Sequence, residues 1–134
     1  MKIVLDTNVL VSAFLKPRSK PARILRLVLQ GDIEIVANES ILAEYLDVLK
    51  RPKFDLNPDK VQTILQIIRS KGINAPALAE SFDLLDSSDE LFLEAALSAG
   101  ADVIITGNKK HFPQKACKGQ KVVNPTEFFQ LLVK

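Results

Sequence analysis

Three acidic residues of this chain lie where side-chain carboxylates can do chemistry. Asp6 directly follows an apolar run, whereas Glu44 and Asp89 lie within helical patterns. Carboxylates that converge without a cation repel one another, and Mg²⁺ or Mn²⁺ turns that repulsion into attraction. The chain has one His and one Cys, too few for a typical zinc site. The chemistry indicated is therefore an oxygen-bound Mg²⁺ or Mn²⁺ that activates water and stabilises charge on a phosphoryl oxygen.

Two of these acids also have simpler explanations. Asp6 could serve only as the N-cap of the helical pattern over residues 9–15, because Asp is a favoured cap. Glu44 flanks the apolar stripe of its helix, so it is neither a core residue nor a fully outward one. It could equally be an ordinary solvated glutamate.

Asp89 is the most informative of the three. It falls on the apolar side of its helix, one turn before Phe92. A carboxylate in that position needs a cation, a cap bond or the helix dipole to offset its desolvation. Asp86, three residues earlier, is either a capping acid of the same helix or a further metal ligand, and the pattern does not separate the two.

Strand and helix patterns alternate along the chain. Short β-branched runs predict strands at residues 3–5, 33–36, 103–105 and, more weakly, 122–123. Helical patterns cover residues 9–15, 21–30, 40–51, 58–72, 88–100 and 126–133. Apolar strands separated by helices predict an α/β fold with a mostly parallel sheet covered on both faces. Ligands bind at the carboxyl ends of such strands, which is where Asp6 stands.

The length of 134 residues and 47% hydrophobic content predict a single domain over residues 1–134. Asp6 interrupts the first apolar run, so we expect neither a signal peptide nor a membrane segment. The lone Cys117 fits a reducing compartment, and we expect a cytoplasmic location. The net charge of +2 is too small to identify a nucleic-acid partner. Its distribution is uneven, because six lysines face only Glu127 after residue 106.

Four ordered motifs resemble those of the PIN-domain ribonucleases. They are LDTNVL at residues 5–10, SILAE at 40–44, DSSDELFLEAA at 86–96 and ADVIITGN at 101–108, and together they cover essentially the whole chain. PKF at 52–54 and NPTEF at 124–128 resemble the bacterial and archaeal branch that includes toxins of toxin–antitoxin pairs. The resemblance implies a three-layer α/β/α fold with about four to five strands. It also implies an RNA-hydrolysing activity that depends on Mg²⁺ or Mn²⁺, and an antitoxin protein as partner.

The resemblance also assigns site residues. Asp6, Glu44 and Asp89 match the first three acids of the family, as catalytic residues and metal ligands. The fourth is commonly an Asp after Thr-Gly, and Asn108 occupies that place here. An amide oxygen can ligate a metal but carries no charge and cannot act as a base, so Asp86 could take over the fourth acid's role.

Polar and basic residues surround the same motifs. The resemblance places Asn8 and Thr106 where they could hold waters or the scissile phosphate, although turn and strand-end hydrogen bonding explains them equally well. Lys109 and Lys110 follow Asn108, so they would attract an RNA backbone at the rim of the site, or be solvated loop lysines. His111 is either a general acid or, as lone histidines more often are, a surface or packing residue.

Phe112 and the helix over residues 58–72 each have two possible interpretations. Phe112 either stacks on a base or anchors its loop. The helix over residues 58–72 has a broad apolar face that fits a homodimer interface or a buried core helix; its members are Val61, Ile64, Leu65, Ile67 and Ile68.

Other functions fit less well. A haloacid dehalogenase-type phosphatase needs a second Asp two residues after the first, and Asn8 stands there. A response-regulator receiver domain needs an acidic pair after the first strand, and only Asp6 is present. The non-enzyme hypothesis is a catalytically weak or inactive PIN-like module that binds RNA or protein, as the neutral Asn108 suggests.

Overall fold

The computed structural model describes residues 1–76, 87–114 and 116–133. Five strands are present in this part of the chain: β1 (Lys2–Leu5), β2 (Glu34–Ala37), β3 (Ile73–Asn74), β4 (Val103–Ile105) and β5 (Val122–Val123). The helices are α1 (Thr7–Leu15), α2 (Lys20–Gln30), α3 (Glu39–Leu49), α4 (Pro58–Lys71), α5 (Ser87–Ala99) and α6 (Pro125–Leu132). Short 3₁₀ turns follow α3 and β4, at Pro52–Phe54 and Lys109–His111.

The strands form one sheet in the order β3-β2-β1-β4-β5, and all four pairings are parallel. The predicted α/β class is therefore confirmed. The chain builds the sheet outward from β1 through β2 to β3, then returns to place β4 on the other side of β1. The carboxyl ends of β1 and β4 thus flank a topological switch point, the usual ligand position in open α/β sheets.

The two central strands are buried along their whole apolar length. The side chains of Ile3, Val4 and Leu5 in β1 are fully buried, and so are those of β4. This explains the continuous apolar runs of the sequence, because helices cover a parallel sheet and leave no polar face. Leu5 pairs with Ile105, so the residues that follow the two strands leave the sheet side by side.

The helix ends lie within one or two residues of the predicted bounds, which is the usual uncertainty of such assignments. Asparagine side chains cap three helices. Asn38, Asn57 and Asn124 accept hydrogen bonds from the first backbone N–H groups of α3, α4 and α6. Asn124 also forms a reciprocal capping box with Glu127, which fixes the start of α6 next to the end of β5.

The apolar face of α4 packs into the chain's own core. Val61, Ile64, Leu65 and Ile68 are buried there, whereas Ile67 is half-buried. This face is therefore that of a core helix. Within the described residues, no helix combines the length and apolarity needed to cross a bilayer.

Tyr45 joins α3 to the end of the central strand. Its buried hydroxyl donates a 2.5 Å hydrogen bond to the carbonyl oxygen of Leu5, and its ring stacks on Phe92 of α5 at a centroid distance of 6.0 Å. Burial, and secondly the negative charge of Asp6, raise the pKa of the Tyr45 phenol. One side chain thus fixes α3 and α5 against the strand that ends in Asp6.

Tyr45→Phe should lower the free energy of unfolding by roughly 1–3 kcal/mol, because a buried carbonyl loses a donor while the ring contacts remain. Urea unfolding measures this, and an unchanged midpoint would contradict it.

The raised pKa of Tyr45 adds a pH dependence to the stability of the protein. Folding holds the phenol neutral, so wild-type stability should fall as the pH rises above about 10, where the unfolded chain ionises. Tyr45→Phe should lack that part of the alkaline loss.

Candidate active site

The adjacent ends of β1 and β4 bring Asp6 and Thr106 together. The backbone N–H of Asp6 donates to Ile105 O at 2.9 Å, which extends the strand pairing by one residue. The hydroxyl of Thr106 donates to Asp6 Oδ2 at 2.6 Å. Both side chains are buried, with 4% exposure for Asp6 and 0% for Thr106. The Asp6 carboxylate is therefore held in one orientation at the switch point.

Asp6 is also the N-cap of α1. Its Oδ1 accepts a 2.8 Å hydrogen bond from the backbone N–H of Thr7. The capping explanation is thus observed, but it does not exclude a ligand role, since the two oxygens of a carboxylate offer about four lone-pair directions. The positive end of the α1 dipole further favours a negative charge at this position.

Asp89 lies in the first turn of α5 and is buried, with 4% exposure. The sequence pattern predicted this inward position, and the structure confirms it. Asp89 Oδ2 lies 3.5 Å from Nδ1 of His111, whose side chain is 42% exposed. The structure therefore places the only histidine of the chain against one of the proposed acids.

Asn108 connects the two carboxylate positions. Its backbone N–H donates to Thr106 Oγ1 at 3.1 Å, and that hydroxyl in turn donates to Asp6. Its side-chain Nδ2 lies 3.2 Å from Nε2 of His111, the ring that faces Asp89. A continuous series of contacts thus runs from one acid to the other through the loop after β4.

Asn8 links the first loop of the site to the second. Its Oδ1 accepts a 3.1 Å hydrogen bond from the backbone N–H of Gly107. A Cβ at Gly107 would lie 3.3 Å from this oxygen, so a side chain there would crowd the contact. Both residues and Asn108 border an open cavity of about 220 Å³; its other lining residues are Val9, Ser12, Pro21 and Pro125.

The two lysines of the rim differ in their surroundings. Lys109 Nζ lies 3.0 Å from Glu127 Oε1 on α6. The pKa of Glu127 is lowered chiefly by the Asn124 backbone N–H and then by Lys109. Lys110 is exposed and makes no ion pair within the described residues. Phe112 is buried, so it anchors this loop and is not available for base stacking.

Glu44 is half-buried on α3, beside Tyr45, as the stripe pattern predicted. Asp86 lies outside the described residues. No group of three or more His, Cys, Asp or Glu side chains in the described ranges is arranged to hold a metal ion. Mg²⁺ is nevertheless often bound through one or two carboxylates, with waters and substrate phosphates completing its coordination. Two buried carboxylates, Asp6 and Asp89, meet that requirement in donor type.

Sequence reasoning did not identify the role of Tyr45 or the Asn108–His111 contact. Tyr45 belongs to the apolar stripe of α3, where its pattern is that of a core aromatic; the signal in the sequence was that a buried hydroxyl must find an acceptor. The Asn108–His111 contact depends on the 3₁₀ turn, which no apolar period marks.

A model of the PIN domain family matches residues 2–110. The chain belongs to the PIN domain family. It is 30% identical over 112 residues to an uncharacterized protein of Methanocaldococcus jannaschii, an alignment that covers 81% of this chain and 72% of that protein. Proteins of the PIN family are generally nucleases and generally depend on divalent metal ions.

Solved structures share the PIN fold. A chain of VapBC2 from Rickettsia felis, solved bound to a DNA fragment from its promoter, superposes with a TM-score of 0.62 at 22% identity and covers 92% of this chain and 98% of its own. A chain of FitAcB from Neisseria gonorrhoeae superposes with a TM-score of 0.56 at 19% identity, with coverage of 92% and 98%. At these identities the likeness establishes the fold.

Two buried threonines of this PIN domain make a matched pair for testing the Asp6 environment. Thr106→Val removes the hydroxyl that donates to Asp6, so we expect the free energy of unfolding to fall by roughly 1–3 kcal/mol. Thr7 Oγ1 is equally buried but has no hydrogen-bond partner in the described part of the chain. Thr7→Val should therefore be neutral or slightly stabilising. Equal effects of the two substitutions in urea unfolding would refute the role given to Thr106.

Proposed function

We propose that this PIN domain is a divalent-metal-dependent ribonuclease that hydrolyses phosphodiester bonds in RNA. The observation that carries the proposal is the pair of buried carboxylates, Asp6 and Asp89, joined through the loop that follows β4. Buried carboxylates are rare, because each costs several kcal/mol to desolvate, and the capping role of Asp6 accounts for only one of these two. The position of Asp6 at the switch point of the sheet supports a catalytic purpose.

Asp6 and Asp89 would hold Mg²⁺ or Mn²⁺, and Glu44 and Asp86 would supply further negative charge. A bound ion of this kind provides Lewis acidity toward a phosphoryl oxygen and makes water a better nucleophile. Thr106 orients the Asp6 carboxylate by donating a hydrogen bond to Oδ2. The Oδ1 and Nδ2 atoms of Asn108 are both occupied by contacts within the protein. We therefore assign Asn108 a positioning role and not that of a metal ligand.

The basic loop supports RNA as the substrate. Lys110 offers an ammonium group free of ion pairs within the described residues, and Lys109 shares its charge with Glu127. Both would attract the phosphate backbone without reading its sequence. Asn8 lines the open cavity at Gly107, where the scissile phosphate would enter, whereas the buried Thr106 would act on the site through Asp6. Of the two lysines, Lys110 should contribute more to binding.

Asp6→Asn and Asp89→Asn should each reduce Mn²⁺-dependent cleavage of mixed-sequence single-stranded RNA by roughly 100-fold or more, because the charge stabilisation supplied by a metal ion amounts to several kcal/mol. The substitutions remove charge and keep volume, so the fold should persist. Asp47→Asn is the matched control: Asp47 is an exposed acid on α3 whose pair with Arg51 at 3.5 Å contributes little. Full activity in Asp6→Asn would refute the proposed site.

A binding module without turnover is the second candidate function. Asn108 favours it, because a neutral amide stands where many PIN domains carry a further acid. The cleavage experiment separates the two functions. Protein that shifts RNA in a gel with Mn²⁺ present, but leaves it intact, would establish binding and reject the nuclease proposal.

We further propose that the protein is the toxin of a toxin–antitoxin pair, with an antitoxin protein as its partner. The PIN-fold neighbours VapBC2 and FitAcB support this proposal, since complexes of this kind pair a toxin with an antitoxin, and VapBC2 was solved bound to a DNA fragment from its promoter. Expression of the wild-type chain in a bacterial host should therefore slow growth, and expression of Asp6→Asn at equal level should not. Co-expression of the reading frame next to its gene should restore growth. Undiminished growth with active, soluble wild-type protein would argue against the toxin role.

A further inference from the structure

The backbone N–H of Lys110, which can only donate a hydrogen bond, fixes the orientation of the Asn108 carboxamide. The backbone N–H of Lys110 lies 3.2 Å from Asn108 Oδ1, as expected when Asn108 caps the 3₁₀ turn. Rotating the carboxamide by half a turn would place its NH₂ group against this N–H, two donors facing each other. Oδ1 therefore faces Lys110, and Nδ2 must face His111.

This orientation determines which nitrogen of His111 carries the proton. Asn108 Nδ2 is a donor and lies 3.2 Å from His111 Nε2, so Nε2 must accept. In a neutral imidazole the other nitrogen then bears the hydrogen. That nitrogen, Nδ1, lies 3.5 Å from Asp89 Oδ2. The ring consequently presents an N–H to the buried carboxylate, at a separation where the attraction is mainly electrostatic.

We infer that His111 is a positioning residue for Asp89, held in its Nδ1–H tautomer by Asn108. The inference rests on the proposed function, because it gives Asp89 a defined orientation toward a cation. Partners behind a ligating carboxylate commonly fix its rotation in this way. The same loop holds Asp6, since Asn108 N–H donates to Thr106, which donates to Asp6. Residues 106–111 would thus orient both carboxylates.

An amide suits position 108 better than a carboxylate because of its contact with His111. An Asp there could still accept from the backbone N–H of Lys110, but it would present a second acceptor to His111 Nε2. Nε2 would then have to carry a proton. An amide donor at position 108 therefore favours the Nδ1–H tautomer, and Asn supplies it.

Nitrogen NMR of the imidazole tests the tautomer directly. The chain has a single histidine, so the spectrum of ¹⁵N-histidine-labelled protein contains one ring and needs no assignment. Under mildly alkaline conditions without metal, we expect a protonated Nδ1 and an unprotonated Nε2. Asn108→Asp should place a proton on Nε2, either in the Nε2–H tautomer or in an imidazolium that faces a carboxylate on each side. Gln114→Ala, an exposed substitution three residues beyond His111, should leave the wild-type tautomer in place. A wild-type ring that is Nε2–H, or an equal mixture, would overturn the inference.

Metal affinity tests the consequence for Asp89. His111→Ala should weaken Mn²⁺ binding by roughly 10–100-fold, as loss of a partner behind a metal ligand does. His111→Asn should recover part of the affinity, because its side-chain amide can place an N–H near the position of Nδ1. Unchanged Mn²⁺ affinity in His111→Ala, or no difference between the Ala and Asn variants, would reject the positioning role.

The two proposals fail in different ways. Wild-type protein with the Nδ1–H tautomer and His111-dependent Mn²⁺ binding, but without RNA cleavage, would reject the ribonuclease proposal and support the positioning role. RNA cleavage by a wild-type protein whose ring is Nε2–H would do the reverse.

Discussion

The burial of the Asp6 carboxylate is the constraint on which the rest of the structure depends. An ionised carboxylate loses several kcal/mol of hydration when it is taken out of water, so donors must be in place before it can be buried. Among the described residues, donors to Asp6 include the N–H of Thr7 at the start of α1 and the hydroxyl of Thr106 after β4. Thr7 follows Asp6 directly, whereas the Thr106 hydroxyl reaches Asp6 only because β1 and β4 pair in parallel with Leu5 opposite Ile105. The site therefore requires this sheet order. A different order would leave the Asp6 carboxylate either exposed to solvent or buried without the Thr106 donor.

Helices α3 and α5 are also held in place at the strand end that carries the buried Asp6. Tyr45 reaches from α3 to the last carbonyl of β1 and stacks on Phe92 of α5, so both helices are tied to the strand end that carries Asp6. Asp89 enters the site from the first turn of α5, where the helix dipole favours a negative charge. Each acid is thus placed at the beginning of a helix and beside the carboxyl edge of the sheet. Catalytic geometry and helix capping use the same positions, which is why a cap explanation and a ligand explanation of Asp6 can both hold.

The parts of the fold that the sequence predicts are those with a strong apolar period. The continuous apolar runs at residues 3–5 and 103–105 predict the buried strands β1 and β4. The apolar stripe of α5 predicts the inward position of Asp89. The sequence does not predict β3, because Ile73–Asn74 is two residues long and lies at the sheet edge, where it carries no apolar run. The contact of Asn108 with His111 is equally inaccessible, since it depends on the direction of hydrogen bonds in a 3₁₀ turn. Hydrogen-bond direction has no periodic signal in the sequence, whereas burial does.

An amide at position 108 also changes the charge balance of the site. A carboxylate there would add a third negative charge to a site that already contains Asp6 and Asp89, and neighbouring like charges repel one another when no cation is bound. Asn108 keeps the hydrogen bonds to Lys110 and His111 without that charge. The neutral side chain should therefore make the site less dependent on a cation for its folded geometry, and bind the cation less tightly than a site with an added acid. His111 and Asn108 therefore help to keep Asp6 and Asp89 in their orientations against the mutual repulsion of the two carboxylates. Asn108→Asp with His111 unchanged would set two acceptors against each other, so the two positions should be considered as a unit.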